Sequence, residues 1–276
     1  MPYDGYDCLR VDLDHGVATV TIDHPPINLF DLALIQEMER VGRALDADSA
    51  VRVVVFQSAN PEFFIAHADV ALIQTLPTTV PPKATRLGLF HAMVDRFRTM
   101  PKATIGKIEG RARGGGSEFL LSLDMRFGAI GRAILAQPEV ALGIIPGGSG
   151  TQRLPRLMGR SRALEIVLGC EDFPAELAER YGYLNRALPA AELGPFVDRL
   201  ARRIASFPAE AIALAKASVA AAELPTMDGL LEETHCFNQS LATRSAQERM
   251  QKFLALGGQT REVELDLGTL VGRLAD

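Results

Sequence analysis

At 276 residues, 47% apolar and 23% charged, the chain has enough apolar surface for a sizeable core, which excludes a mainly disordered protein. Its 34 acidic and 29 basic residues give a net charge of −5, so the balance carries no footprint for nucleic acid or an anionic membrane. Three cysteines without a CxxC pair argue against a disulfide framework and a thiolate metal site, and suit a reduced, cytoplasmic compartment.

The opening MPYDGYD lacks the basic and apolar regions of a signal peptide, and no apolar run approaches the roughly 18 residues of a membrane span. Residues 17–22 alternate β-branched and small side chains and read as a strand that Pro25-Pro26 stops. Leu34, Ile35, Met38, Val41 and Leu45 recur at helical spacing over residues 31–47, with Asp31 as the N-cap. Residues 51–56 are nearly all apolar and read as a strand buried on both faces. PTTVPP (77–82) reads as a loop leading into a helix over about 83–99, which Pro101 ends. A third strand covers 103–108, and Gly110 begins a glycine-rich turn. Residues 120–123 read as helical, and short strands follow near 125–129 and 133–136. Residues 146–150 form another turn that opens a helix. From about residue 190 to 256 the pattern is successive helices, interrupted at Pro208 and Pro225. AEAIALAKASVAAAEL, broken by Lys216, reads as a buried or amphipathic helix. The last twenty residues, from Gly257, hold little that would build a core. The division is an α/β body over 1–190 and a helical region over 191–276.

Three segments carry candidate chemistry. Gly114-Gly115-Gly116-Ser117-Glu118 lies between a strand and a helix. Amides at such a helix start suit a phosphate or an oxyanion, with Glu118 beside them; taken alone, the segment reads first as a tight turn followed by an acidic residue. Glu139 stands in the apolar run AILAQPEVALGIIP, either as a strand-end carboxylate in solvent or as a buried one whose raised pKa suits proton transfer. In FFIAHADV, Asp69 is a helix cap in an otherwise ordinary loop. There is no GxxxxGK[ST], no GxGxxG after the first strand and no GxSxG elbow, and the five histidines form no HxxxH or HxH pair. His91 alone on a helix reads as a packed or surface histidine.

Together, FFIAHADV, GRARGGGSEFLLSLD and AQPEVALGIIPGGSGTQRLPRLMG resemble, in order and approximate spacing, the enoyl-CoA hydratase/isomerase (crotonase) superfamily, from about residue 10 to 255. The resemblance implies an α/β fold, a spiral of ββα units with a C-terminal helical region used in trimerisation as a homotrimer or dimer of trimers. It implies an acyl-CoA thioester substrate, with coenzyme A as part of that substrate and no separate cofactor, and neither nucleic acid nor membrane as partner. By position, the N–H groups of Ala68 and Gly115 would bind the thioester oxygen. Glu118 and Glu139 match the two glutamates of the hydratases, whereas isomerases of the superfamily commonly keep only the second. Ile27, Ala66, Ala68, Asp69 and Val70 would line the ligand toward its adenine end, with Gly115 and Gly147 at the substrate. Hydration of a 2-enoyl-CoA is the leading expectation. An isomerase, thioesterase or C–C lyase on the same scaffold, an inactive acyl-CoA-binding scaffold and an RNA-binding relative are the alternatives; the net charge speaks against the last.

The chain also departs from the family pattern. His67 stands where a glycine precedes the first oxyanion donor, and is strained if that position needs a positive φ. Arg113 replaces an apolar residue, facing either a CoA phosphate or an interface. The basic C-terminal segment is missing, which leaves Arg52, Arg96 and Lys252 as substitutes for phosphate contacts. Thr151-Gln152 matches a structural helix start, and Ser117 stands where many relatives have cysteine.

Overall fold

In the computed structural model, which describes residues 3–221 and 227–274, strands leave one sheet, enter a second and return through helices. The strands are β1 (Leu9–Asp14), β2 (Val17–Ile22), β3 (Val53–Ser58), β4 (Phe63–Ile65), β5 (Ala103–Ile108), β6 (Arg111–Arg113), β7 (Met125–Ala129), β8 (Ile134–Ala136), β9 (Phe173–Pro174) and β10 (Arg186–Leu188). The helices are α1 (Leu32–Ala47), α2 (Val70–Gln74), α3 (Leu89–Thr99), α4 (Gly115–Leu121), α5 (Gly150–Met158), α6 (Arg160–Gly169), α7 (Ala175–Tyr181), α8 (Ala190–Ala205), α9 (Ala209–Ala220), α10 (Met227–Leu241), α11 (Arg244–Ala255), α12 (Arg261–Glu264) and α13 (Leu267–Arg273). A 3₁₀ turn spans Glu139–Leu142.

The large sheet runs β1-β2-β3-β5-β7-β10 and the small one β4-β6-β8-β9. Three successive turns, β3–β4, β5–β6 and β7–β8, each give one strand to each sheet before a helix follows, the expected spiral of ββα units. The pairs β2·β3, β3·β5 and β5·β7 are parallel, so both faces of the large sheet must be covered. Period-two alternation divides β3 accordingly. Val54 and Phe56 enter the main core beneath α1, whereas Val53 and Val55 meet Leu193, Val197, Ala201 and Ala205 of α8, spaced every four residues on one helix face.

Phe119 of α4 sits where the spiral turns meet, edge-on to Phe30, Phe56 and Phe97 and stacked on Phe64. Phe119→Ala is expected to cost about 3–5 kcal/mol, because the rings around it belong to four different segments and cannot collapse together. Urea unfolding monitored by circular dichroism measures that loss.

Several expected elements change. The helix expected from residue 83 begins only at Leu89, with Gly88 at its N-cap. Gly110 opens the short strand β6 rather than the glycine turn, which starts at Gly114 with φ +48. An unexpected strand, β1, pairs antiparallel with β2. Helix α9 has no fully buried residue, so it is not a core helix; Ile212, Ala213 and Lys216 form a half-buried face, with Ile212 packed against the cluster of α8 and Lys216 paired with Asp124. Pro208 precedes α9 as expected, whereas Pro225 lies outside the described residues.

The largest correction concerns the end of the chain. Residues after Gly257 do build a core: Leu267, Leu270 and Leu274 are buried with Val70, Leu142, Ile144 and Phe253. Their spacing is helical, but they are few and sit in an acidic stretch, so the pattern is weak in sequence.

Candidate active site

Strand β4 ends at Ile65 and the chain passes through Ala66, His67 and Ala68 before Asp69 caps α2, accepting from the Ala71 N–H at 2.9 Å. This passage is clamped to Phe30, whose N–H donates to His67 O and whose carbonyl accepts from the Asp69 N–H. Strand β6 runs beside β4, and Gly114 then turns the chain into α4. Gly116 lies against β4 so closely that a methyl there would stand 2.4 Å from Ile65 O. That approach brings the start of α4 to Ala68: a methyl on Gly115 would lie 3.4 Å from the Ala68 nitrogen. Among the described residues, neither the Ala68 nor the Gly115 N–H donates a hydrogen bond. Two unused amides therefore stand side by side, as an oxyanion requires.

Glu118 lies one turn into α4 and is almost wholly buried. Its Oε1 accepts from the Gly148 and Gly150 N–H groups, both at 2.8 Å, so the turn expected over 146–150 becomes its holder. Glu139 opens the 3₁₀ turn instead of ending a strand, and its buried Oε2 has no hydrogen-bond partner. The position of a methyl on Gly114 would be 2.7 Å from Glu139 Oε1 and 3.4 Å from His67 Cβ, which sets Glu139 beside the passage from Ala66 to Ala68. His67, Ala68, Val70, Ile73, Pro138, Glu139, Leu142, Ile144, Phe253 and Leu267 enclose a mainly apolar cavity of about 30 Å³. Glu118 and Gly115 are not among the residues that line this cavity.

Burial pushes the Glu139 carboxyl up to about 7, only partly opposed by a backbone amide and by His67. Burial, followed by Glu139 and Glu233, raises Glu118 well above the usual carboxylate range despite the two amides. The two glutamates act on one another, so near neutral pH the pair is best described as sharing a proton.

The remaining expected residues are placed as follows. Ile27 and Ala66 are packed with Phe63 against Leu29 and Leu265. The Val70 N–H donates to Gln259 Oε1, and Gln259 Nε2 donates to Asp69 Oδ1, so the segment before α12 covers this strip. Gly147 is packed against Phe237 of α10, 2.5 Å from where its methyl would be. His67 escapes the strain anticipated for it, because its φ is not positive. Arg113 faces neither a phosphate nor solvent. It is wholly buried, paired through Nε and Nη2 with both oxygens of Asp172, and Nη1 donates to Glu264 O. Arg52 donates to Ala205 O, and Arg96 pairs with Glu39 and Asp46.

Glu233 and Glu264 escape the sequence reading. Glu233 of α10 is buried, accepts from the Ser149 and Thr151 N–H groups and from the Thr151 hydroxyl, and bonds the packed His91 at 2.9 Å. It holds the same turn as Glu118, from the other side. Its only sequence signal is a carboxylate on a helix near a histidine-bearing one, which is too common to single out. Ser117 meets the Tyr183 hydroxyl inside the core.

Residues 12–257 match the family described as enoyl-CoA hydratase/isomerase, so α12 and α13 lie beyond the match. The chain is 31% identical over 240 residues to the short-chain-enoyl-CoA hydratase of Clostridium acetobutylicum, covering 86% of this chain and 91% of that one. It is 31% identical over 252 residues to the crotonyl-CoA hydratase of Syntrophomonas wolfei, covering 90% and 95%. The crystal structure of a candidate enoyl-CoA hydratase from Streptomyces avermitilis superimposes with a TM-score of 0.89 at 42% identity, covering 98% of this chain and 99% of that one.

Proposed function

The chain belongs to the enoyl-CoA hydratase/isomerase family, and from that premise we propose that it is an enoyl-CoA hydratase, adding water across the 2,3 double bond of a 2-enoyl-CoA. The observation that carries the reading is the retention of two enclosed glutamates, Glu118 held by the Gly148 and Gly150 amides and Glu139 with an unpartnered buried oxygen, beside a pair of unused amides. The thioester oxygen accepts from Ala68 and Gly115. Attack at C3 moves electron density onto that oxygen, and donors already in place favour the enolate over the ground state. The glutamate pair takes the proton of the attacking water and returns one to C2, ending with the same number of protons as it began. The two amides that grip Glu118 Oε1 leave its other oxygen to face the reacting water.

The reading extends to the ligand's surroundings and to assembly. The acyl group lies toward the apolar cavity walled by Ile73, Phe253 and Leu267. Trimers, or dimers of trimers, form through the helical region. The exposed apolar face of α9, where Leu214 is 71% and Val219 72% exposed, supports this assembly. Three free cysteines suit the cytoplasm, and none of the described helices is long and apolar enough to cross a membrane.

The test is a hydration assay with crotonyl-CoA and a longer 2-enoyl-CoA, following loss of the conjugated thioester absorbance and weighing the product. A 3-hydroxyacyl-CoA product upholds the reading; unaltered substrates overturn it. The shared proton also fixes a pH profile. Below about 7 the pair gains a second proton and loses its base, so kcat/KM is expected to fall there rather than in the usual carboxylate range. Above the raised value of Glu118 the last proton leaves and kcat/KM falls again. Rates measured from pH 5 to 10 check both limbs; a profile flat down to pH 5 contradicts the coupling.

A further inference from the structure

Both ring nitrogens of the buried His67 face acceptors. Nδ1 is 2.8 Å from Ala68 O, and Nε2 is 2.9 Å from Glu264 Oε1. A carbonyl oxygen only accepts. Glu264 Oε1 also accepts from the Gln259 N–H, and its Oε2 lies 4.0 Å from Arg113 Nη1, a setting that keeps the carboxyl ionised. A neutral imidazole carries one N–H and would leave one of the two contacts without a proton, whereas an imidazolium supplies both. We propose that Glu264 holds His67 as a buried imidazolium, which positions the Ala68 amide and lends positive charge to the anion formed at the oxyanion site.

The order of charges gives the couple its direction. His67 borders the cavity together with Ala68 and Glu139, and Glu264 does not. Behind His67 come Glu264, then Arg113, then Asp172, so charges alternate away from the cavity and the cation is nearest the reacting groups. In a site this dry, the nearer pole is felt more than its counterion. The charged groups facing His67 are Glu264 from α12, Arg113 from β6 and Glu139 from the 3₁₀ turn; Phe253 of α11 adds an uncharged ring edge at 5.8 Å. Burial opposes the charge on His67, but Glu264 overrides it and the imidazole ends above its ordinary value, with Glu264 held below the carboxylate range. The couple is outside the family pattern at both ends: glycine is usual at the position of His67, and Glu264 lies beyond residue 257, where the family match stops.

The inference rests on the acyl-CoA reading of the cavity, and its test is chosen so that no turnover is needed. In long-range nitrogen–proton spectra of protein with ¹⁵N-labelled histidine, with His67 assigned by its loss in His67→Gln, both ring nitrogens are expected to be protonated at pH 7.5. Glu264→Gln is expected to remove the second proton at that pH. Acetoacetyl-CoA, a thioester acidic enough to enolise, reads the charge at the oxyanion site through its near-ultraviolet enolate absorbance. The enolate-to-keto ratio of the bound ligand is expected to fall about tenfold in His67→Gln and in Glu264→Gln. A neutral ring in the unaltered protein, or an enolate ratio unchanged in a folded Glu264→Gln variant, overturns the proposal. Failure of the hydration reading appears separately, as crotonyl-CoA left unhydrated while both spectroscopic signals persist.

Discussion

Glu139→Gln is expected to lower kcat for hydration by roughly 10²–10⁴-fold while leaving KM within a few-fold, because the amide keeps the shape but neither takes nor gives a proton at neutral pH. Glu118→Gln is expected to fall in the same range by a partly different route. Its Oε1 holds two backbone N–H groups, and a glutamine oxygen keeps those contacts, so the loss again lies in proton handling and not in the turn. The double variant should fall little below the worse single one, since two groups that share a proton act as a unit. Steady-state rates with crotonyl-CoA measure all three. If the effects multiply instead, the glutamates work independently and the shared-proton account fails.

Gly116→Ala is expected to lower kcat by about a hundredfold although Gly116 is itself buried behind the amide pair. Its methyl would meet Ile65 O at 2.4 Å and Ile65 Cβ at 2.8 Å. Neither the β4 backbone nor the first turn of α4 can yield without moving its neighbour, and those neighbours carry the two unused amides, Ala68 and Gly115, proposed as the oxyanion donors. Displacing a reacting geometry by about an ångström costs on this scale. The overpacking should also destabilise the protein by about 1–3 kcal/mol, a loss that a thermal melt reports separately from the rate. An alanine variant with parental kcat would show that the approach of α4 to β4 does not set the donor pair.

The parts of this site that were legible in sequence are those whose signal is local. Residues 17–22, 53–56 and 32–47 carry unbroken periodicities because each buries one or both faces against the large sheet. Glu118 and Glu139 stand out as carboxylates in apolar or glycine-rich surroundings, and the order of the three motifs carried the family. Gly114 and Gly116 were visible as glycines, but their separate reasons, a positive φ and a close approach, exist only once β4 and β6 are paired. The residues read poorly were those whose partners lie far along the chain. Arg113 looks like a surface cation until Asp172 and the Glu264 carbonyl are found around it. Glu233 and Glu264 sit in helical and acidic stretches where charges are ordinarily solvated, and nothing local distinguishes a carboxylate that will be enclosed. Leu267, Leu270 and Leu274 failed for the same reason, as three side chains amount to a core only against α2, α11 and the 3₁₀ turn.

The contact between His67 and Glu264 spans 197 residues of a 276-residue chain. A protein is made from its N-terminus, and its domains begin to fold as they emerge. The spiral, built largely from turns that are adjacent in sequence, can assemble while the ribosome still holds the end of the chain. The passage at Ala68 gains the contact from Glu264 only after residue 264 has been made. A chain that stops short of residue 264 would thus hold the spiral without this contact.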